Sequence, residues 1–173
     1  MTAYHDDEWG RPTIDDVELF ERLSLESFQA GLSWSTILRK RAAFRTAFRE
    51  FDPTIVAAFD DEDRARLMAD AGIVRNRAKI EATIGNALGY LAISREFDGF
   101  EAYLRMIIPD AGRPLPPDTL PGQIPASTPA SVALSKDLQA RGFRFVGPTI
   151  TYAFMQSVGL VDDHLPACYR YRG

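Results

Sequence analysis

The stretch Asp70-Ala71-Gly72-Ile73-Val74-Arg75-Asn76-Arg77-Ala78-Lys79 predicts a tight glycine turn between two helices, which together span about residues 61–90. The first N–H groups of a helix lack intrahelical partners and carry the positive end of the helix dipole. Arginines beside them add charge-assisted hydrogen bonds to an anion. The stretch therefore predicts a phosphate-binding surface, to which we assign Gly72, Arg75, Arg77 and Lys79.

Helix pairs of this kind, called helix–hairpin–helix motifs, hold DNA backbones without reading the base sequence. A purely structural turn explains the stretch about as well, because helix–glycine–helix turns are common. The net charge of −4 argues weakly against a nucleic-acid partner, but the cations cluster apart from the acids. One basic face is compatible with this pattern, and solvated helix faces account for it equally well.

Helical periodicity extends through nearly all of the 173 residues, and apart from residues 143–146 no stretch alternates convincingly as a strand. Residues that suit helix starts are Asp15 with Asp16, Ser33, and either Thr128 or Ser131. Prolines punctuate residues 109–129, which we predict to form a long surface loop. We therefore predict an all-α fold, a single compact multi-helix domain over residues 1–173.

The composition argues against membrane and disulfide-rich classes of protein. No apolar run is long enough to span a bilayer, and no charged-then-apolar leader opens the chain. Cys168 is the only cysteine, so an internal disulfide is impossible. We expect a cytoplasmic monomer without a membrane partner.

Residues 24–34, Ser-Leu-Glu-Ser-Phe-Gln-Ala-Gly-Leu-Ser-Trp, place a carboxylate and an indole on either side of a helix break. The break can turn Glu26 and Trp34 toward one pocket. A carboxylate beside a flat aromatic face suits a flat, electron-poor ligand such as a nucleobase. The alternative is that Trp34 belongs to the core and Glu26 to a solvated helix face. This segment alone favours the alternative.

Three residues near the two chain ends are candidate metal ligands. The spacing of His164 and Cys168 resembles half of a zinc site, and His5 lies at the other terminus. A shared ion would join the two ends of the chain. A fourth ligand could come from Asp6, Glu8, Asp163, water or a residue upstream of Met1.

These segments together resemble the 3-methyladenine DNA glycosylase I family. The matching motifs occur in the family's order and cover almost the whole chain. They are residues 4–10, 25–34, 70–77, 134–136 and 142–147, followed by Asp163-His164 and Cys168. The resemblance implies a helix–hairpin–helix DNA glycosylase fold and the excision of 3-methyladenine from alkylated double-stranded DNA.

The resemblance also implies roles for individual residues. Glu26 corresponds to the essential, catalytic pocket carboxylate. The base-binding aromatic residues are Tyr4, Trp9 and Trp34. Three of the family's four structural zinc ligands correspond to His5, His164 and Cys168. The fourth is a cysteine close to the family's N-terminus, followed shortly by a pocket tryptophan, and neither is among the 173 residues.

We expect a monofunctional enzyme that hydrolyses the N-glycosidic bond and leaves an abasic site during base excision repair. The family lacks the catalytic aspartate of many related glycosylases, and no lysine is an obvious Schiff-base nucleophile. Leu32 is a candidate wedge for the gap left by a flipped base, although ordinary core packing explains it equally well. The alternative functions are a non-catalytic binder of damaged or ordinary DNA and an α-helical interaction protein unrelated to DNA.

Overall fold

The computed structural model describes residues 2–172, so the ends of the predicted domain, Met1 and Gly173, lie outside the described residues. Within this range the chain forms nine α-helices and no β-strand, with one isolated parallel bridge between Pro114 and Asp162. The helices are α1 (Thr2–Asp7), α2 (Asp16–Gln29), α3 (Trp34–Ala47), α4 (Pro53–Ala57), α5 (Asp61–Ala69), α6 (Arg77–Phe97), α7 (Phe100–Ile107), α8 (Pro129–Ala140) and α9 (Pro148–Ser157). The predicted all-α class is confirmed.

The predicted helix starts coincide with side-chain caps. The carboxylate of Asp15 accepts a hydrogen bond from the Glu18 N–H at 2.8 Å, and α2 begins at the next residue. Ser33 caps α3 in the same way. Of the two candidates for α8, Thr128 is the cap. Local polar residues therefore fix where these helices begin, because a cap satisfies backbone N–H groups that have no helical partner.

Helix α2 is the central element of the core. Every residue from Leu19 to Phe28 is buried, because α2 packs against α3, α6 and α9. Aromatic rings surround it; those of Phe28 and Phe44, for example, lie 4.7 Å apart. A helix buried on all sides has no solvated face, so each charged residue on it must be paired or serve a function.

Helix α1 and the loop of residues 142–147 are two elements that the sequence pattern does not define. The six-residue helix α1 has no apolar periodicity, and tertiary burial of Tyr4 accompanies its helical form. Residues 143–146, the only candidate strand, form an irregular loop in which Phe145 has a φ of 56°. The proline-rich segment contains one short 3₁₀ helix, Pro121–Gln123, before α8 begins at Pro129.

The predicted hairpin is formed by α5, α6 and the turn between them, which lies against α3. A Cβ at Gly72 would lie 2.9 Å from the Cβ of Ala43, so only glycine allows this close approach. The ammonium of Lys40 donates to the carbonyl oxygens of Ala71 and Gly72, at 3.0 Å each. No helix within residues 2–172 is both long enough and apolar enough to cross a bilayer.

Candidate active site

A cavity of about 360 Å³ opens between α1, α2, α3 and α9, within the size range of small-molecule sites. Its walls are formed by Tyr4, His5, Trp9, Glu26, Gln29, Trp34, Ala153 and Gln156. The structure therefore brings together all four residues that the sequence analysis assigned to a base pocket. They converge although they lie on two separate segments of the chain, residues 4–10 and 24–34.

The carboxylate of Glu26 lies in this cavity without a hydrogen-bond partner among residues 2–172. The residue is only 5% exposed. Burial raises the pKa of Glu26 from 4.5 to about 8, and attraction to the Arg22 guanidinium offsets only part of the rise. An unpaired, buried carboxylate facing a cavity is a typical functional group rather than a structural one. The interpretation of Glu26 as a solvated face is therefore wrong.

Glu21, one and a half turns earlier on α2, shows what a structural carboxylate looks like in the same helix. It is also buried, which by itself would raise its pKa, but hydrogen bonds from Arg45 and Arg41 outweigh burial and hold the pKa below 4.5. The Nε atoms of these two arginines lie 2.8 and 2.7 Å from Glu21 Oε1. The fold thus pairs the buried carboxylate of Glu21 with two arginines and leaves the carboxyl group of Glu26 without a hydrogen-bond partner in the described part of the chain.

Two aromatic rings stand beside Glu26. The ring centroids of Tyr4 and Trp34 lie 5.4 Å apart with the planes tilted by 54°. Burial is the main reason that the pKa of Tyr4 lies above its usual value, so its hydroxyl stays protonated. Trp34 is partly buried and packs against the core, so part of its surface remains for the cavity.

Arg22 underlies the pocket, and the sequence analysis did not identify it. Its guanidinium lies 5.6 Å from the centroid of the Tyr4 ring. It also donates to Glu18 Oε1 at 2.6 Å, to Glu8 Oε2 at 3.1 Å and to the Ser157 carbonyl at 3.3 Å. A single buried cation therefore connects α1, α2 and α9 below the cavity.

The three candidate metal ligands also converge. One potential ligand atom from each of His5, His164 and Cys168 lies within 4.8 Å of the other two. His164 Nε2 is buried and has no hydrogen-bond partner among residues 2–172, whereas Nδ1 lies 2.6 Å from the carboxylate of Asp162. A carboxylate on the far nitrogen is the usual arrangement that orients a metal-binding histidine. Two imidazoles and a thiol are a donor set that zinc prefers, so these residues fit the ion.

The carboxylates considered as a fourth ligand are engaged elsewhere. Asp163 accepts hydrogen bonds from Tyr152 at 2.5 Å and from Gln156 at 2.7 Å. Glu8 accepts from Arg22 and Arg41, and Asp6 pairs with Nδ1 of His5. In the described part of the chain the cluster consists of two histidines and one cysteine, and Asp6, Glu8 and Asp163, which were among the open candidates for a fourth ligand, form other contacts.

The hairpin presents two of its predicted cations to solvent. Arg75 and Arg77 are exposed, and neither forms an ion pair within residues 2–172. Asn76 caps α6 by accepting from the Lys79 N–H at 3.2 Å. The N–H of Gly72 already donates to Asp70 at 2.7 Å, so Gly72 shapes the turn and its N–H is not free for an anion.

The structure corrects the assignment of Lys79 to the DNA-facing cations. The residue is 6% exposed, and its ammonium donates to the carbonyl oxygens of Phe28 at 2.8 Å and Ala30 at 2.6 Å. These carbonyls end α2 and have no helical partner, and a cation is favourable there. Lys79 therefore holds the end of α2, although its position in the sequence suggested a phosphate contact.

Leu32 lies on an exposed turn next to the cavity. Gly31 supplies the turn with a φ of +80°, and the side chain of Gln29 donates to the Leu32 carbonyl at 2.7 Å. Leu32 itself is 38% exposed, so the alternative that it belongs to the core is wrong. An exposed apolar tip beside a base-sized cavity remains compatible with a wedge.

Several residues of the site had no clear signal in the sequence. Gly10 has a φ of +72°, and a Cβ there would lie 2.6 Å from His164 Cε1, so only glycine lets the chain pass this ring. Asp162 could have been found from its spacing, two residues before His164. Gln156 and Arg22 gave no such indication, because only tertiary contacts bring them to the cavity.

The site combines a base-sized cavity with a helix start whose arginines face solvent, in an all-α fold. A family model described as methyladenine glycosylase matches residues 1–171. The chain is 50% identical over 171 residues to DNA-3-methyladenine glycosylase 1 of Escherichia coli (strain K12), covering 99% of this chain and 91% of the relative. It is 46% identical over 171 residues to DNA-3-methyladenine glycosylase of Haemophilus influenzae, covering 95% and 89%.

Solved structures agree with the sequence comparisons. A structure on 3-methyladenine recognition by 3-methyladenine DNA glycosylase I of Staphylococcus aureus superposes with a TM-score of 0.94 at 37% identity, covering 99% of this chain and 91% of that one. A tyrosine-to-phenylalanine variant of a 3-methyladenine DNA glycosylase I, in complex with 3-methyladenine, gives the same TM-score of 0.94 and covers 99% and 92%. The chain therefore belongs to the methyladenine glycosylase family.

Proposed function

We propose that the protein is a DNA repair glycosylase that flips 3-methyladenine out of alkylated double-stranded DNA and hydrolyses its N-glycosidic bond. The observation that carries this proposal is the unpaired carboxylate of Glu26 beside the rings of Tyr4 and Trp34 in a base-sized cavity. The names of the relatives in Escherichia coli and Haemophilus influenzae support the same activity. A DNA substrate also suggests a cytoplasmic location, and one chain suffices to line the pocket, which is compatible with a monomer.

The proposed selection of the base is electrostatic. N3-alkylated adenine in DNA is cationic, so its attraction to the faces of Tyr4, Trp9 and Trp34 contributes about 0.5–2 kcal/mol per ring in a desolvated site. With a pKa of about 8, Glu26 keeps its proton in the empty pocket at neutral pH. A cationic base favours the ionised carboxylate, whereas neutral adenine gains no such attraction. The site therefore discriminates through a difference in interaction energy and through the easier flipping of a damaged base.

The proposed reaction is hydrolysis without a covalent enzyme intermediate. The glycosidic bond of the cationic base is already weak. Water adds its oxygen to the sugar carbon, the base leaves as neutral 3-methyladenine, and one proton is released. Among the described residues no lysine lines the cavity, and the Lys79 ammonium is bound to two backbone carbonyls. We therefore propose an abasic site as the product, with no strand cleavage by a lyase step.

The experiment that tests the function measures base release from duplex DNA treated with a methylating agent. Chromatography of the released bases should show 3-methyladenine, and the DNA should contain abasic sites without strand breaks. A folded protein that binds this DNA but releases no base would instead support the non-catalytic binder. A folded protein that neither binds DNA nor releases a base would favour an interaction protein unrelated to DNA.

We also propose that His5, His164 and Cys168 hold a structural zinc ion. The support is the buried His164 Nε2, which has no other partner in residues 2–172, and the Sγ of Cys168, 3.5 Å from His5 Nε2. When bound, the ion would supply a cross-link between α1 and the C-terminal segment and no catalytic chemistry. A pocket residue, Trp9, has its ring centroid 4.8 Å from that of His164, so the cross-link would also support the cavity wall.

Metal content and thermal stability test the zinc proposal. Elemental analysis of protein purified without chelators should find about one zinc per chain, and Cys168→Ser should lose it. Removal of an ion that contributes about 2 kcal/mol should lower the Tm by roughly 4–8 °C in a domain of this size. Tyr169→Phe, at an exposed neighbouring position, is the control and should retain the metal. Wild-type protein without any bound metal would contradict the proposal.

Charge reversal at the start of α6 tests the hairpin. Arg75→Glu or Arg77→Glu should weaken binding to all duplex sequences alike, because phosphate contacts carry no sequence information. The slope of log affinity against log salt should fall by about 0.9 for each phosphate that the variant no longer neutralises. Fluorescence anisotropy at several salt concentrations measures both quantities. Arg95→Glu, exposed at the opposite end of α6, is the matched control, and an equal effect there would rule out a specific hairpin contact.

A further inference from the structure

The loop of residues 142–147 is fixed onto α6 at two points. The N–H of Arg144 donates to Asn86 Oδ1 at 2.9 Å, and Asn86 Nδ2 donates to the Arg144 carbonyl at 3.0 Å. Beside this pair, the Phe143 ring lies so close to Gly89 that a Cβ there would be 2.5 Å from Phe143 Cε2. Together these contacts hold the loop along α6 and set the position of the residue that follows.

That residue, Phe145, has an unusual backbone and an exposed ring. Its φ of 56° lies in the left-handed region, which is uncommon for a bulky side chain. The surroundings keep this conformation, and yet the side chain remains 37% exposed. Such strain persists where neighbouring contacts enforce it, and it occurs often at functional sites. Packing of the Phe145 ring into the core does not explain the arrangement.

Lys79 connects Phe145 to the turn that carries Leu32. Its ammonium lies 6.0 Å from the centroid of the Phe145 ring, within the range of a cation–π contact. The same ammonium donates at 2.6 Å to the carbonyl of Ala30, which is two residues before Leu32. The buried Lys79 therefore contacts the Phe145 ring and the turn that carries Leu32. Leu32 and Phe145 are both exposed apolar side chains.

The charges around these two apolar side chains favour a nucleic acid as the partner. Arg144 is exposed and forms no ion pair within residues 2–172. Arg77, also exposed, begins the helix two residues before Lys79. Apolar tips among unpaired arginines suit a duplex in which one base pair is disrupted, because bases offer stacking faces and phosphates offer negative charge.

We infer that Phe145 is a second DNA-contacting side chain, whose ring stacks on a base that loses its neighbour when the lesion is flipped. Leu32 then enters the gap. Lys79 is a positioning residue that fixes the Phe145 ring relative to the turn that carries Leu32. This inference rests on the proposed function. It assigns the loop of residues 142–147 to the DNA interface together with the hairpin.

The variant Phe145→Gly tests this assignment without loss of the fold. Glycine readily adopts a positive φ, so the Tm should be unchanged or higher. Release of 3-methyladenine from duplex DNA should fall about 10-fold or more, the usual effect of losing one base–aromatic stack. Binding of free 3-methyladenine, measured by calorimetry, should stay unchanged because the cavity walls are untouched. Phe145→Trp should retain the wild-type release rate.

Two controls separate the possible outcomes. Leu88→Ala removes a side chain that is 58% exposed on α6, the helix that the loop of residues 142–147 lies along, and it should leave base release unchanged. Wild-type release by Phe145→Gly, alongside a clear loss for Leu32→Ala, would overturn the role of Phe145 and leave the proposed function intact. An equal loss for Leu88→Ala would also overturn it. A folded wild-type protein that releases no 3-methyladenine would overturn the proposed function, and this inference with it.

Discussion

Glu26→Gln should lower the rate of 3-methyladenine release from DNA by about 100-fold or more, the typical loss when a preorganised electrostatic contact is removed from a closed site. Glutamine has nearly the same shape as glutamate and still forms hydrogen bonds, but it cannot become an anion. The variant therefore keeps the cavity and loses only the attraction to a cationic base. Single-turnover release from methylated duplex DNA measures the effect.

The same substitution should change the pH dependence of stability. An unperturbed glutamate has a pKa of 4.5, and burial raises the pKa of Glu26 to about 8 in the folded protein. Between these values the folded state keeps a proton that the unfolded state has released, so stability falls as pH rises. Relative to Glu26→Gln, the wild-type free energy of unfolding should decrease by about 1.4 kcal/mol per pH unit in this window. Chemical denaturation at several pH values measures the slope.

Glu21→Gln is the matched control, because it neutralises the other buried carboxylate of the same helix. It leaves the guanidinium groups of Arg41 and Arg45 without their shared partner, so it should lower stability at neutral pH. Glu26→Gln should leave stability unchanged or raise it. Equal destabilisation by both variants, or wild-type base release by Glu26→Gln, would contradict the distinction between the two carboxylates.

Arg22→Met should lower the free energy of unfolding by about 1–2 kcal/mol, because it leaves the buried Ser157 carbonyl and two partly exposed carboxylates without their shared donor. Its side chain is 3% exposed, and it joins Glu8 and Glu18 to the Ser157 carbonyl. Methionine replaces most of the volume, so the loss reflects the polar contacts more than a cavity. The pKa of Glu26 should rise further, since the attraction of Arg22 lowers it. Denaturant unfolding and the pH profile of base release measure the two effects.

The ion pair of Arg105 and Glu101 provides the control for Arg22. Like Arg22 and Glu18, these residues are four positions apart on one helix, but the Arg105 side chain is 68% exposed. Arg105→Met should cost less than about 0.5 kcal/mol, as is usual for solvated pairs within a helix. Equal losses at the two positions would show that burial does not determine the contribution of Arg22.

Sequence reasoning was most successful where the signal is local. The caps Asp15, Ser33 and Thr128 predicted helix starts because each needs only a neighbouring N–H group. The convergence of Glu26 with Trp34 also followed from one short segment. Tyr4 and Trp9 were assigned to the pocket only through the family resemblance, because nothing in the local sequence places them beside Glu26.

The errors arose where tertiary contacts decide the role of a residue. In the sequence Lys79 belongs to the hairpin cations. In the structure its ammonium instead donates hydrogen bonds to two carbonyl oxygens at the end of α2. Arg22 looks like any helix arginine until α1 and α9 enclose it. Helix α1 carries no periodic pattern from which it could be predicted. Contacts of Tyr4 with the distant residues Trp34 and Arg22 stabilise it instead.

Helix α1 has a consequence for how the protein is made. It carries the pocket residue Tyr4, and the last part of the chain fastens it: Arg170 donates to the Asp6 carbonyl at 2.8 Å, and Cys168 contacts His5. Domains generally fold as units during synthesis, beginning at the N-terminus. Here one pocket wall is translated long before the residues that fasten it. A nascent chain on the ribosome therefore has an incomplete pocket until Arg170 has been added and has left the exit tunnel.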